Sequence, residues 1–401
     1  MNKVRLKAVN FAVLSMKKMK KIAAIGSIGM FLFLACSQGQ NKELAPQKKK
    51  IEIPKHSIEF KLSDYLTENK DLDAEVEKIF ASLDDTAIVA QLIMPAVGRL
   101  GQTEATIKQH IKDRIIGGVL MLNGTKDGFT SWIKNFEAMN DSIGNIPFLY
   151  SADAEPSLVN RKIEGSVKVK KANEMTSIDE VTACAKTISS DLNAIGINYN
   201  FSPVVDMSPN TTVGFRSFGK VPANIIPWSN AFIQETQAHN ILATAKHFPG
   251  HGLVSGDTHK SLQMIDGELK EIGNYPELIK NGVLSIMVAH IGVKNNSKYD
   301  TKGMPATTSE IIVKGLLREE YGFKGLIVTD AMNMGGVASI PQAEVKAVNA
   351  GCDIVLMPLD AKKAHADLIK KYNEDKEFKA KVDASAKRII RMKICVGLLK
   401  K

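Results

Sequence analysis

Ile241-Leu242-Ala243-Thr244-Ala245-Lys246-His247-Phe248-Pro249-Gly250-His251-Gly252 is followed, after a short interval, by Asp257-Thr258-His259. The apolar opening predicts a buried strand over 241–247, and Pro249, Gly250 and Gly252 forbid any regular element beyond it, so the strand hands over to a loop. Three of the chain's eight histidines, one lysine and one aspartate fall in that handover. In α/β folds the carboxyl end of a parallel strand is where chemistry is kept.

Outward from this stretch the same theme repeats: a short apolar strand, a polar loop, then an amphipathic helix. Strands are expected at 91–97, 118–122, 148–153, 197–206, 241–247, 285–291, 326–330 and 353–358. Helices are expected at 176–195, 224–239, 310–320 and 342–349, several opened by Ser, Thr or Asp and closed by Gly. Eight alternations in some 300 residues predict an α/β fold of the (β/α)8 TIM-like barrel type as a single domain. The rival open doubly wound sheet has no Gly-x-Gly-x-x-Gly turn to support it. Residues 361–399 read as one or two terminal helices. In this register Asp153, Asp206, Lys246 with His247, His290 and Asp330 stand at or just past the ends of five different strands, as a site would require.

The 401-residue chain carries a formal charge of +10, but seven Lys or Arg and no acid lie in residues 1–35, which leaves +3 for the rest. Basic residues in that remainder are interspersed with acids, so nucleic acid is not expected as a partner. Lys17, Lys18, Lys20 and Lys21 precede an apolar run over 22–35 that is too short for a permanent membrane span. Residues 1–35 therefore read as a signal peptide. Phe33-Leu34-Ala35-Cys36 resembles a bacterial lipoprotein box with Cys36 as the lipidated residue, and 36–57 reads as a polar tether ahead of a globular part at 58–401. A lipid-anchored protein of the cell envelope is the expectation. Cys184, Cys352 and Cys395 are too few and too scattered for a disulfide framework and read as core thiols.

The ordered pieces resemble glycoside hydrolase family 3, in its single-domain bacterial β-N-acetylhexosaminidase branch. They are Ala90-Gln91-Leu92, Gly117-Gly118-Val119, Asp153-x-Glu155 with Arg161, Asn200-Phe201-Ser202-Pro203-Val204-Val205-Asp206, Arg216-Ser217-Phe218-Gly219, Lys246 to Gly252, Asp257-x-His259, Ile286 to His290, and Val328-Thr329-Asp330-Ala331-Met332. The resemblance implies Asp330 as nucleophile, His259 as acid/base with Asp257 as its partner, and Asp153, Arg161, Arg216, Lys246 and His247 as substrate-binding residues. It implies a retaining exo-β-N-acetylglucosaminidase acting on muropeptides or other GlcNAc oligosaccharides, with no cofactor and no metal. Independent chemistry agrees: retaining hydrolysis needs a carboxylate at the anomeric carbon and a proton donor at the leaving oxygen. A histidine of ordinary pKa near 6.5 can donate and then accept that proton near neutrality. An extended Asp-x-His would place both side chains on one side of the chain.

The sequence departs from the family pattern in three places. Pro156-Ser157 replaces the usual Gly-Gly, Leu253-Val254 stand where Asp-Thr is frequent, and Ala331 replaces a frequent second aspartate. Rival readings keep some of the same residues. His247, His251, Asp257 and His259 form a zinc-type donor set, though Pro249-Gly250 excludes the helical spacing of a His-Glu-x-x-His enzyme. A β-N-acetylglucosaminide phosphorylase, or a non-catalytic sugar-binding lipoprotein, would share the fold. A β-glucosidase of the family commonly draws its acid/base from a further domain.

Overall fold

The computed structural model describes residues 59–207, 210 and 212–399. The signal peptide, Cys36 and the tether lie outside the described residues. Seven parallel strands pair in the spatial order Leu326–Thr329, Ser285–Val288, Leu242–Phe248, Tyr199–Asn200, Leu149–Ala152, Gly118–Met121 and Ala96–Val97. Ile93–Met94, separated from Ala96–Val97 only by Pro95, pairs in parallel with Val355–Leu356. Ile354 in turn bridges Val328. Backbone bonds from Val355 N to Leu92 O (2.7 Å) and from Thr329 N to Ile354 O (3.0 Å) complete the ring. The first strand thus serves two neighbours, and the sheet closes on itself as the eightfold alternation requires.

All eight expected strands are present; the central one, Leu242–Phe248, keeps its expected length, and the others have shorter regular cores. The 197–206 run is regular only at Tyr199–Asn200, because Pro203 has no N–H for the ladder. The 285–291 run stops at Val288, and Ile291–Lys294 starts a separate strand paired in parallel with Gln263–Asp266. Val254 packs against Ala289, Ile291 and Ile265 beside this small sheet. A valine at 254, where the family often has threonine, thus pins the histidine-bearing loop to an apolar cluster of its own.

The expected helices form at Ile178–Ile195, Pro222–Ala238, Ile311–Glu320 (wound as a π-helix) and Ala343–Ala350. Ser177 caps the first by accepting from Glu180 N, and Gly196 ends it at φ 96°, a left-handed conformation that costs glycine little. The terminal segment is two helices, Ala361–Glu374 and Lys376–Cys395, because the Asp375 side chain caps the second by accepting from Glu377 N and Phe378 N. Two helices that the sequence reading did not place, Lys70–Ala81 and Asp85–Ala90, precede the first strand. Arg391 of the last helix ties this lead-in down, donating to the Tyr65 and Thr67 carbonyls at 2.7 Å each.

The amino-terminal mouth of the barrel is plugged by a lysine. Lys393 is fully buried, and its Nζ donates to Gln91 Oε1 (2.6 Å) and the Gly117 carbonyl (2.9 Å) with no carboxylate among these partners. Burial pushes its pKa down to about 7. An unfolded lysine holds its proton to about 10.4, so below pH 7 the cost of burying the charge is fully felt, and it is relieved as pH rises from 7 toward 10. In urea titrations, the stability of the native protein relative to Lys393→Met should therefore rise by up to about 1.4 kcal/mol per pH unit across that window. Parallel stability profiles for the two proteins would show that Lys393 does not titrate there.

Candidate active site

The site is built outward from the central strand. Met287 pairs with Lys246 and Val288 with Phe248, so His247 is an extra residue, a bulge in the ladder. In a regular strand successive side chains point to opposite faces; a bulge re-aims one of them. Lys246 and His247 consequently both line one cavity of about 440 Å3 at the carboxyl end of the barrel.

Asp206 is the hub behind this bulge. Its buried carboxylate accepts from His247 Nδ1 (2.6 Å), the His247 N–H (3.1 Å) and the His251 N–H (2.9 Å). Burial alone would raise its pKa, but His247 outweighs that and holds it below the usual carboxylate range. Because a carboxylate only accepts, Nδ1 carries the proton and Nε2 of His247 is the nitrogen left free. Glu271 anchors the same loops one layer further back, accepting from the N–H groups of Met207 (2.6 Å), Gly252 (3.1 Å) and Leu253 (3.2 Å). Burial and the nearby Asp206 charge push Glu271 up to about 8, against the pull of those three donors.

A chain of alternating charge crosses the floor of the cavity. Lys162 Nζ donates to Asp153 Oδ2 (3.0 Å), and Lys246 Nζ bridges Asp153 Oδ1 (3.0 Å) and Glu155 Oε1 (2.6 Å). Arg216 grips Glu155 with Nε (2.8 Å) and Nη2 (2.6 Å). Burial would raise both carboxyls, yet Lys162 and Lys246 hold Asp153 well below the usual range, and Arg216 with Lys246 brings Glu155 to about 2. The fully buried Glu155 fixes the two cations; Asp153 and Arg216 remain partly accessible. Such a preformed, fully ionised array suits the edges of a polyhydroxylated ring.

Asp330 follows the Leu326–Thr329 strand and lines the same cavity. One of its oxygens accepts from the Ala331 N–H at 2.8 Å. Burial would raise its pKa, but His247, His290 and that N–H keep it low, so it is ionised at neutral pH. His290 is buried behind it, donating from Nε2 to the Ala331 carbonyl (3.0 Å) and accepting at Nδ1 from the Thr307 hydroxyl (2.9 Å). It braces the segment that carries Asp330.

The Asp257–His259 pair sits opposite, on the loop after the central strand. The expectation of an extended Asp-x-His is corrected: residues 258–260 form a turn. Asp257 Oδ1 accepts from both the His259 N–H (3.0 Å) and His259 Nδ1 (2.8 Å), and Lys260 N bonds to Asp257 O (3.1 Å). Aspartate at the start of a turn bonds readily to a backbone N–H two residues on, so the dyad is assembled locally. His259 is 62% exposed and leaves Nε2 free, while Thr258 between the pair is buried and takes His251 Nε2 at 2.8 Å. Two further bonds, Gly335 N to His259 O and Gly336 N to Thr258 O, both 3.0 Å, dock this turn on the segment that follows Asp330.

The structure thus brings together Asp153, Arg161, Arg216, Lys246, His247, His259 and Asp330 around one cavity, with Asp257 bonded to His259. Arg161 lines the cavity without a hydrogen bond or ion pair to a described residue, and its neighbour Lys162 takes the ion pair with Asp153. Glu155, Lys162, Asp206 and Glu271 carry the site's electrostatics without having been given roles from the sequence. Glu155 had a visible signal, since Asp153-x-Glu155 puts both carboxylates on one side of an extended segment; Glu271, on a surface-like stretch, had none. The zinc-type donor set is divided, with His247 on Asp206 and His259 on Asp257, and the described residues contain no cluster of three or more metal-binding side chains.

Comparison with known proteins follows the same lines. The model of the glycosyl hydrolase family 3 N terminal domain matches residues 85–392. Beta-hexosaminidase A of Pseudoalteromonas piscicida is 35% identical over 197 residues, covering 44% of this chain and 33% of that protein. The beta-hexosaminidase of Methylobacillus flagellatus is 30% identical over 277 residues, covering 62% of this chain and 75% of its own length. The crystal structure of a beta-N-acetylhexosaminidase from Beutenbergia cavernae superposes with a TM-score of 0.69 at 26% identity, over 77% of this chain and 97% of that one. The chain accordingly spans about a third of the first relative and most of the other two. With barrel, strand-end residues and family match in agreement over the same stretch, the chain belongs to glycosyl hydrolase family 3.

Proposed function

We propose that this protein is a retaining exo-β-N-acetylglucosaminidase that removes terminal β-linked GlcNAc from muropeptides or other GlcNAc oligosaccharides. The observation that carries the reading is the docked Asp257–His259 turn, which opens on the same cavity as the ionised Asp330. In the first step Asp330 attacks the anomeric carbon as the glycosidic bond breaks, and His259 Nε2–H protonates the leaving oxygen. Asp257 stabilises the imidazolium that donates this proton. In the second step neutral His259 takes a proton from water, which attacks the anomeric carbon and frees Asp330. Asp153, Lys246, Arg216, His247 and Arg161 grip the sugar hydroxyls. A chromogenic β-GlcNAc should be hydrolysed far faster than the matching β-glucoside, at the same rate in phosphate and in an uncharged buffer. Faster turnover in phosphate, with release of a sugar phosphate, would make the protein a phosphorylase, and no turnover at all would leave it a sugar-binding protein.

The same proposal puts the protein in the cell envelope, held by lipid on Cys36. Cys36→Ala should then move it from the membrane to the soluble fraction with its specific activity unchanged, because the 36–57 tether separates anchor from barrel. A variant that still sediments with membranes in high salt would exclude lipid as the anchor.

A further inference from the structure

Two large apolar side chains remain exposed at the mouth of the cavity, Leu100 at 68% and Phe215 at 38%. Isolated exposed apolar residues are ordinary on a protein surface. These two differ in being held out on pinned backbone. Leu100 sits at the tip of a tight turn closed by Gly101 N to Gly98 O (3.0 Å) and tied to the next strand's loop by Arg99 N to Asn123 O (3.0 Å). Gly98, at φ 136°, lies so close to that loop that a Cβ there would stand 1.8 Å from the Leu122 carbonyl. Phe215 precedes Arg216, whose side chain is drawn inward by Glu155. Its carbonyl accepts from the Ser157 hydroxyl (2.7 Å), which itself accepts from Ala172 N (2.9 Å). The Pro156-Ser157 departure from the family's Gly-Gly thus supplies the strut that fixes Phe215.

We infer that Leu100 and Phe215 form an apolar clamp for the leaving group, and that they take the carbon face of a second pyranose ring. The inference rests on the glycosidase reading above. The sugar that is cleaved needs the ionised floor made by Asp153, Lys246 and Arg216, whose charged groups can bond its hydroxyls. The leaving group must lie on the solvent side of that floor, where Leu100 and Phe215 stand. Arg161, exposed at the same mouth and without a hydrogen bond or ion pair among the described residues, gives the hydroxyl edge a donor. A pyranose has both an apolar face and a polar edge, and the cavity's volume of about 440 Å3 falls within the range that takes drug-sized ligands rather than single small groups. Rigid apolar platforms bind without the cost of ordering side chains on arrival.

The test compares two substrates with the same GlcNAc and different leaving groups: N,N′-diacetylchitobiose, whose leaving sugar reaches the clamp, and β-N-acetylglucosaminyl fluoride, whose leaving atom does not. In the full-length protein, the Leu100→Ala/Phe215→Ala double variant should lower the ratio of kcat/KM for the disaccharide to that for the fluoride by about tenfold, the loss expected from removing one side of an apolar contact. Val221→Ala removes an exposed apolar side chain outside the cavity lining and should leave the ratio where it is. An unchanged ratio in the double variant would overturn the clamp, as would a native protein that hydrolyses the fluoride and never the disaccharide. If the native protein hydrolyses neither, the glycosidase reading itself is wrong and the clamp falls with it.

Discussion

Asp330→Ala is expected to reduce turnover on the order of 10⁴-fold or more, because in the proposed mechanism it deletes the atom that bonds to the sugar and no neighbour can replace it. Asp153 is committed to Lys162 and Lys246, and Asp206 to His247 and His251. Neither has an oxygen free to attack. The fold should survive the change: the side chain gives up one hydrogen bond, from Ala331 N, while the backbone bond from Asp330 N to Val288 O (2.9 Å) is untouched. Two measurements decide the matter together. A mechanism-based fluorosugar should label Asp330 in the native protein, as read by peptide mass mapping, and a urea titration of the variant should be nearly that of the native protein. Label recovered on Asp153 or Asp206 would transfer the nucleophile's role and sink the assignment.

For His259→Ala the expected loss depends on what is leaving. A natural sugar needs a full proton on its departing oxygen, so cleavage of a disaccharide should fall on the order of 10²–10⁴-fold. A nitrophenyl group needs little protonation, and glycosylation by that substrate should fall much less. The second step also loses its base, and azide, already an anion, should restore it and yield a β-glycosyl azide. His251→Ala is the informative contrast. His251 holds Thr258 through Nε2 and Asp206 through its backbone, so its loss should loosen the turn and slow all substrates alike, without rescue by azide. If His251→Ala alone responded to azide, or both variants shared one leaving-group profile, His259 would not be the acid/base. Asp257→Asn should resemble a milder His259→Ala, since the amide can still accept from Nδ1 but no longer stabilises the imidazolium.

The dyad's local assembly has a consequence for how the loop works. An Asx-type turn orients the imidazole by itself, but the bonds from Gly335 and Gly336, with that from His251 to Thr258, place it on the cavity that Asp330 lines. Gly335 leaves no room for variation there, since a Cβ would stand 2.3 Å from the Lys260 carbonyl. Orientation and placement are therefore separate: one follows from residues 257–260, the other from a contact between segments nearly eighty residues apart.

The division between what was legible and what was not follows the range of the forces involved. Strand and helix positions were readable because apolar periodicity, caps such as Ser177 and breakers such as Pro249 and Gly196 act within a few residues, and eight such alternations leave few ways to bury all the apolar faces. The strand-end positions of Asp153, Asp206, Lys246, His290 and Asp330 came with them. The resemblance, not periodicity, supplied the roles proposed for Asp153, Lys246 and Asp330. Where the sequence reading stopped short, a long-range partner was responsible. The 285–291 strand ended early because Ile291–Lys294 had Gln263–Asp266 to pair with. The Leu253-Val254 departure likewise has its partners far away in the chain, in Ala289, Ile291 and Ile265 against Val254.

By itself the sequence determined a barrel of alternating strands and helices, the face on which the candidate site residues gather, and the aspartate-histidine pair two residues apart. Only the tertiary structure decided that Lys246 and His247, adjacent in the chain, turn into one cavity, through a bulge set by the register with Ser285–Val288. It alone decided that Lys162 pairs with Asp153, and that Glu155, Asp206 and Glu271 hold the site from behind. Hydrophobic pattern is a property of neighbours in sequence and survives in the string of letters. A buried charge has its worth only from the partners that replace its water, and those partners, Arg216 for Glu155 and His247 for Asp206, come from loops that the closed barrel alone brings within hydrogen-bond reach.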